Sequence, residues 1–383
     1  MMRPGTPRAV LWGLLATKLV GSWGLAWDIQ WHLTIGRDTF WIQPHVMIYA
    51  SVTVVLLLSW GTLLLSTVRL ARSGGAPPAG TVAILGLAGS RGLHLVAWGV
   101  ALVVLAAPID DLWHRLFGLD VTLWSPPHLL GLFGSAVNTV GCLVLATEVY
   151  PVASRARLAA LVLGGSLLYG GLRVTLDPAW LVAYRRGGVA FHAFAILAAL
   201  VLPLALVTTA RLAGRRSTPV LVTALAILIA LAGQQVAAAG FAILEPVSVL
   251  GEEIRKDPTS PIAIGNAIVE KNRAAPDPWA MRLLLPLIPA LLLGAADPRR
   301  RPLGATAVYG VALFIAYGWY ASTRPAYQPL IPTAVETAVA LTLTAGTALV
   351  GGFAGRALSD FLAARAPEPP GVTREAAPAP TPS

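Results

Sequence analysis

Long apolar runs dominate the chain, and short connections between them carry most of its charge. Each run is about 18–25 residues long, which is the length that an α-helix needs to cross a bilayer. Because a membrane-spanning segment must satisfy its own backbone hydrogen bonds, the pattern predicts an all-α polytopic membrane bundle. About ten spans are predicted, at 9–27, 45–67, 92–108, 127–149, 157–174, 188–210, 218–244, 279–296, 303–322 and 332–355.

The spans divide into two regions and a tail. Residues 1–150 predict a four-helix membrane region with an internal repeat, and residues 151–363 supply the additional transmembrane helices. Within the second region, a polar loop at 245–278 is expected on the outer side. The Pro/Ala-rich segment 364–383 is predicted to be disordered. The apolar pattern that predicts a span is weakest at 81–107, where a re-entrant or interfacial piece is the alternative.

Composition agrees with a membrane location, since the chain is 56% hydrophobic and only 12% charged, against about 25% charged in soluble domains. The net charge of +10 comes from arginines in alternate connections. The positive-inside rule therefore places both termini in the cytoplasm of a bacterial-type plasma membrane. Arg173, Arg185 and Arg186 fall on the opposite side. The basic residues indicate topology, so we expect the lipid bilayer and no nucleic acid as a partner.

Two predicted outer connections repeat one pattern of potential metal ligands. Each has an Asp, a His four residues later, and then a Pro-His pair. An Asp and a His four apart lie on one helix face, and Pro suits the first turn of the returning helix. Four of the six histidines belong to this repeat. The two sets consist of Asp28, His32 and His45, and of Asp110, His114 and His128.

One carboxylate and two imidazoles are thus predicted to converge twice at helix ends, a ligand set that suits copper, iron or zinc. Three protein ligands leave open positions on the ion, unlike a closed structural site. Asp38 and Asp120 recur beside the sets and are predicted to orient the imidazoles, while Trp31 and Trp113 are predicted to exclude water. For each of these residues taken alone, the alternative to a role in a metal site is interfacial hydrogen bonding or packing. His192 is a further candidate with the same alternative.

At these residues the chain resembles the C-type subunit of the copper-dependent membrane monooxygenases, the particulate methane and ammonia monooxygenase family. The family's two motif sets are Asp-x3-His-x12-His and Asn-x3-His-x13-His, and both spacings occur here. Asp110 stands where the family has Asn, and Pro44 stands where it has Ser. The match covers residues 27–128, and its flanking similarities are Trp31, Arg37, Asp38, Thr39, Pro44 and Tyr49.

The resemblance implies two neighbouring copper sites on the outer side, with dioxygen activated at or near one of them. It also implies a small apolar substrate that arrives from the bilayer, and separate A- and B-type subunits. One alternative is a membrane metal-binding or copper-handling protein without oxygen chemistry, although only four Met and one Cys disfavour copper(I) transport. A lipid-linked-sugar glycosyltransferase is the other alternative, suggested by the acidic pair Asp110-Asp111.

Overall fold

The computed structural model describes residues 6–36, 39–117, 123–176, 187–273, 275 and 279–363. The predicted disordered tail therefore lies outside the described residues. Within the described ranges the chain is almost entirely helical, and its one sheet is a two-stranded antiparallel hairpin. The all-α class predicted from the apolar runs is confirmed.

The helices and strands follow one another as a simple series. The N-terminal region consists of α1 (Thr6–Thr34), α2 (Gln43–Ser73), β1 (Thr81–Ile84), β2 (Leu87–Ser90), α3 (Arg91–Phe117) and α4 (Pro126–Val149). The middle of the chain consists of α5 (Arg155–Val174), α6 (Gly188–Phe191), α7 (Ala193–Val201), α8 (Pro203–Ala213) and α9 (Thr218–Leu244). The remainder consists of α10 (Leu250–Lys256), α11 (Pro261–Arg273), α12 (Trp279–Ala295), α13 (Pro302–Ser322), a 3-10 helix (Pro325–Leu330) and α14 (Ala334–Ala363).

Among the described residues, nine helical segments are long and apolar enough to cross a membrane. They coincide with nine of the ten predicted spans. The remaining predicted span, 279–296, corresponds to the 17-residue α12, which contains Pro286 and Pro289. Its described stretch Leu283–Ala295 is apolar but shorter than the nine others. Length and composition thus indicate an α-helical membrane protein.

Two predicted segments are subdivided in the structure. Within 81–107, residues 81–90 form the β1–β2 hairpin, and α3 then begins at Arg91 and runs unbroken through Pro108. The alternative of a re-entrant or interfacial piece stays a prediction for the hairpin alone. The sixth predicted span, 188–210, is three consecutive helices rather than one. Pro203 begins the third of these, and because it has no N–H it cannot continue the hydrogen-bond ladder of α7.

Close helix contacts hold the first four long helices in pairs. A Cβ on Gly134 of α4 would lie 2.7 Å from the carbonyl oxygen of Gly99 of α3, so only glycine allows this approach of the two backbones. In the other pair, the Ser51 hydroxyl of α2 donates to the Thr17 carbonyl of α1 at 2.8 Å. These crossings fix which ends of α1 and α2, and of α3 and α4, lie side by side.

The polar loop after α9 contains two short helices and contacts the end of α1. The Ser248 hydroxyl donates to the Thr34 carbonyl oxygen at 2.7 Å, and the Val249 N–H donates to the Ile35 carbonyl oxygen at 2.8 Å. The last carbonyls of a helix have no partner within it, so these two donors cap α1 from a distant part of the chain.

Candidate metal sites

The first site lies between the last two turns of α1 and the first turn of α2. Asp28 and His32 are one turn apart on α1, and His45 is the third residue of α2, directly after the buried Pro44. The Asp28 Oδ1 atom lies 3.5 Å from His32 Nε2 and 3.1 Å from His45 Nε2. We refer to these three residues as site 1.

The second site repeats this arrangement between α3 and α4. Asp110 and His114 are one turn apart near the end of α3, and His128 is the third residue of α4, again directly after a buried proline. The Asp110 carboxylate lies 3.6 Å from His114 Nε2 through Oδ2 and 3.3 Å from His128 Nε2 through Oδ1. These residues form site 2. The imidazole centroids are 6.2 Å apart in site 1 and 6.1 Å apart in site 2, so the sequence repeat is also a structural repeat.

The donor atoms of each site are spaced as a small metal ion requires. In both triads the three donor atoms lie within 4.8 Å of one another. A tetrahedral ion with bonds of about 2.0–2.1 Å places its ligand atoms about 3.4 Å apart. The carboxylate–imidazole distances, from 3.1 to 3.6 Å, bracket that value.

Burial of Asp28 gives a further test of the fit. Its Oδ1 atom is buried and accepts no well-formed hydrogen bond from the described residues, although two imidazole nitrogens lie nearby. A buried carboxylate oxygen is costly unless a donor or a cation satisfies it. The residues present therefore fit a transition-metal ion held by one carboxylate and two imidazoles.

The two sites differ in their exposure to solvent or lipid. In site 1 the side chains of Asp28 and His45 are 13% and 15% exposed. The corresponding side chains in site 2, Asp110 and His128, are 27% and 29% exposed. The third pair reverses this order, because His32 of site 1 is 32% exposed and His114 of site 2 is 21% exposed. Two of the three ligands are thus better enclosed in site 1.

The two tryptophans predicted to exclude water have unequal surroundings. Trp31 is buried in a small cluster with Trp27, and its ring stacks on Phe241 of α9 at 5.9 Å. Trp113 is only partly buried and packs on Phe117 of its own helix at 4.3 Å. The tryptophan beside site 1 therefore seals a contact between α1 and α9.

Tyr49 is a neighbour of site 1 that was not predicted from the sequence as part of the site. Its ring lies 5.7 Å from that of His45, and Phe40 packs against it at 4.9 Å. The available signal was the spacing, because residues four apart on a helix contact each other. The corresponding residue one turn after His128 is Leu132, so site 2 has no tyrosine at this position.

The remaining candidates have their own environments. His192 is buried and stacks on Phe314 at 4.1 Å, which is the local packing weighed as its alternative. Asp111 forms an ion pair with Arg115 at 2.7 Å, whereas Asp110 belongs to site 2, so the two carboxylates of the acidic pair have different partners. Asp38 and Asp120 lie outside the described residues, and their role in orienting the imidazoles stays a prediction.

Comparisons with protein-family models, with curated proteins and with solved structures found no match.

Proposed function

We propose that this chain is a membrane protein that binds one transition-metal ion in each of its two Asp/His/His sites. Copper is the metal that the resemblance favours, with iron and zinc as the alternatives for this ligand set. The observation that carries the proposal is the repeat: the same three donors, at nearly the same distances, occur at the ends of two successive helix pairs.

The residues of each site have distinct roles in this proposal. Asp28 and Asp110 supply the negative charge that offsets a bound cation, while the four histidines supply neutral nitrogen donors. Three protein donors leave positions open for small molecules. When bound, copper would supply the capacity to react with dioxygen. The stacking of Trp31 on Phe241 excludes water from one flank of site 1.

The proposed topology places both metal sites on the outer side and both termini in the cytoplasm, with α12 as a tenth span. Support comes from the arginine-rich connections, which contact one another at one end of the bundle. Arg157 of α5 lies against the end of α8, and Arg211 of α8 lies against Arg299 before α13. A common basic end is what the positive-inside rule expects of a cytoplasmic face.

The biochemical activity that we propose is the O2-dependent hydroxylation of a small apolar substrate, with A- and B-type monooxygenase subunits as partners. This proposal rests on the residue resemblance together with the open coordination positions. Copper binding or handling without oxygen chemistry uses the same sites and is the second candidate. The glycosyltransferase is less supported, because Asp110 and Asp111 have separate partners.

Metal analysis of protein purified without added metal tests the binding proposal. Elemental analysis and electron paramagnetic resonance (EPR) should find copper, and His32→Ala and His114→Ala should each lower it. His94→Ala and His192→Ala are matched controls, since they remove the two histidines that lie outside both sites. Consumption of dioxygen by the reduced, copper-loaded protein with an apolar substrate would separate an oxygenase from a copper-handling protein.

A further inference from the structure

A second polar site lies among the arginine-rich connections, and none of its residues belongs to the two triads. The ends of α4, α8 and α14, the start of α5 and the α12–α13 connection line a pocket of about 340 Å³. Its charged lining consists of Arg157, Arg211, Arg299 and Asp360. Three arginines and one aspartate thus line the pocket.

Two of these arginines are fixed by neighbouring groups. Arg211 donates to the Ser359 hydroxyl at 2.6 Å and to the Arg299 carbonyl oxygen at 2.7 Å, and it pairs with Asp360 at 2.5 Å. Arg299 forms a two-pronged ion pair with Asp297, with both nitrogen–oxygen distances at 2.8 Å. Their guanidinium planes are therefore held in place in the absence of a ligand.

Arg157 differs from the other two because its contacts are with neutral groups. Its guanidinium donates to the backbone carbonyl oxygens of Tyr150 and Leu212, at 3.4 and 3.3 Å, and pairs with no carboxylate among the described residues. Three positive charges thus have two carboxylate partners, Asp297 and Asp360, and the latter is itself half exposed. The pocket keeps an excess of positive charge and unused N–H donors.

We propose that this pocket binds a phosphate group, either the headgroup of an anionic phospholipid or a free phosphate ion. Guanidinium groups match the oxygens of phosphate with paired hydrogen bonds. Basic pockets between transmembrane helices on the cytoplasmic side suit anionic headgroups, and this pocket lies where four helix ends meet at the basic face. Arg157 supplies the positive charge that has no carboxylate partner among the described residues. Arg211 and Arg299 supply guanidinium groups that are already held in position.

The test is a titration of the full-length protein in detergent with dioctanoyl phosphatidylglycerol, with dioctanoyl phosphatidylcholine as the zwitterionic comparison. Arg157→Gln should weaken phosphatidylglycerol binding at least about fivefold. Arg300→Gln is the matched control, because it removes the same charge from an 83% exposed side chain outside the pocket lining and should have little effect. Asp360→Asn, which removes the carboxylate from the pocket, should tighten binding and so tests the site even if Arg157→Gln does not fold.

Inorganic phosphate distinguishes the two sources of the ligand. If millimolar phosphate displaces phosphatidylglycerol from the native protein but not from Arg157→Gln, the pocket accepts the free ion. If the lipid stays bound, the acyl chains contribute and the headgroup of a phospholipid is the ligand. Equal weakening by Arg157→Gln and Arg300→Gln, or equal binding of the two lipids by the native protein, would overturn the proposal.

Discussion

The Ser248 hydroxyl donates a hydrogen bond of 2.7 Å to the carbonyl oxygen of Thr34, the last residue of α1. This bond joins the loop after α9 to the helix that carries Asp28 and His32. Removing it should leave one more carbonyl of the α1 C-terminus without a partner, at a cost of about 0.5–1.5 kcal/mol. The end of α1 should then fray more readily, and site 1 lies within its last two turns.

Ser248→Ala is therefore expected to speed the loss of metal from site 1 and to leave site 2 unchanged. The rate of copper release to a chelator, followed in a His114→Ala background and in a His32→Ala background, separates the two sites. Ser260→Ala is the control, since its hydroxyl donates to the Asp257 carbonyl oxygen and accepts from the Ala263 N–H, both within the same loop. Equal effects of Ser248→Ala on both sites would contradict a local role.

The difference in exposure between the sites predicts an order of metal removal. Asp110 and His128 are about twice as exposed as Asp28 and His45, whereas His32 is more exposed than His114. Because two of the three ligands are more exposed in site 2, a chelator should reach site 2 sooner. Copper release from the native protein should show two phases. The fast phase should be missing in His114→Ala and the slow phase in His32→Ala. The opposite assignment would mean that access is set by something other than the exposure of these side chains.

Close packing of α3 on α4 predicts a large effect from one added methyl group. Gly134→Ala places a Cβ 2.7 Å from the Gly99 carbonyl oxygen, so the helices must move apart, at a cost of about 1–3 kcal/mol. Because His114 and His128 lie on these two helices, site 2 should lose metal affinity while site 1 keeps it. Thermal unfolding in detergent and copper content measure the two effects.

Gly131→Ala is the matched control for this substitution. Its added Cβ would meet Ala106 at 3.6 Å, which is an ordinary contact, and alanine favours the helix over glycine by up to about 1 kcal/mol. This variant should be as stable as the native protein or more so. A similar loss of stability in both variants would show that the contact with Gly99 is not the cause.

The ion pair between Asp297 and Arg299 predicts a pH-dependent contribution to stability at the basic face. Hydrogen bonds from the Arg299 guanidinium lower the pKa of Asp297 from 3.8 to about 2. Because the folded-state pKa is the lower one, the stabilisation is present above pH 3.8 and is lost as the pH falls toward 2. Native protein should therefore melt at a higher temperature than Asp297→Asn at pH 5.

The two proteins should converge as the pH approaches 2. Asparagine tolerates the positive φ of 54° found at this position, so the substitution tests the charge rather than the backbone. A gap in melting temperature that stays constant from pH 5 to pH 2 would contradict the assignment to this carboxylate.

Much of the candidate site could be predicted from the sequence because the helix rules that position its residues act over a few neighbouring residues. The four-residue spacing of Asp28 and His32 fixes one helix face, and a proline before His45 marks a helix start. Both features recur at Asp110, His114 and His128, and the structure brings each triad together. The apolar runs likewise located the nine described helices that are long and apolar enough to cross a membrane, since span length is set by the bilayer.

Other features depend on contacts between distant parts of the chain and were not predictable in this way. The bond between Ser248 and Thr34 joins residues 214 positions apart, and no local pattern identifies such a pair. The stacking of Trp31 on Phe241 depends on which helix lies beside α1. The break before Pro203 had a local signal, since proline interrupts a helix, but the apolar run there concealed it.

Metal binding by the two triads is tested most directly by counting copper ions per chain. The count is made in the native protein, in His32→Ala, in His114→Ala and in the double variant. One ion in each triad predicts two equivalents in the native protein, one in each single variant and none in the double variant. The EPR signal of each single variant should show two imidazole nitrogens. Copper that remains at the native level in the double variant would contradict the assignment of metal to these residues.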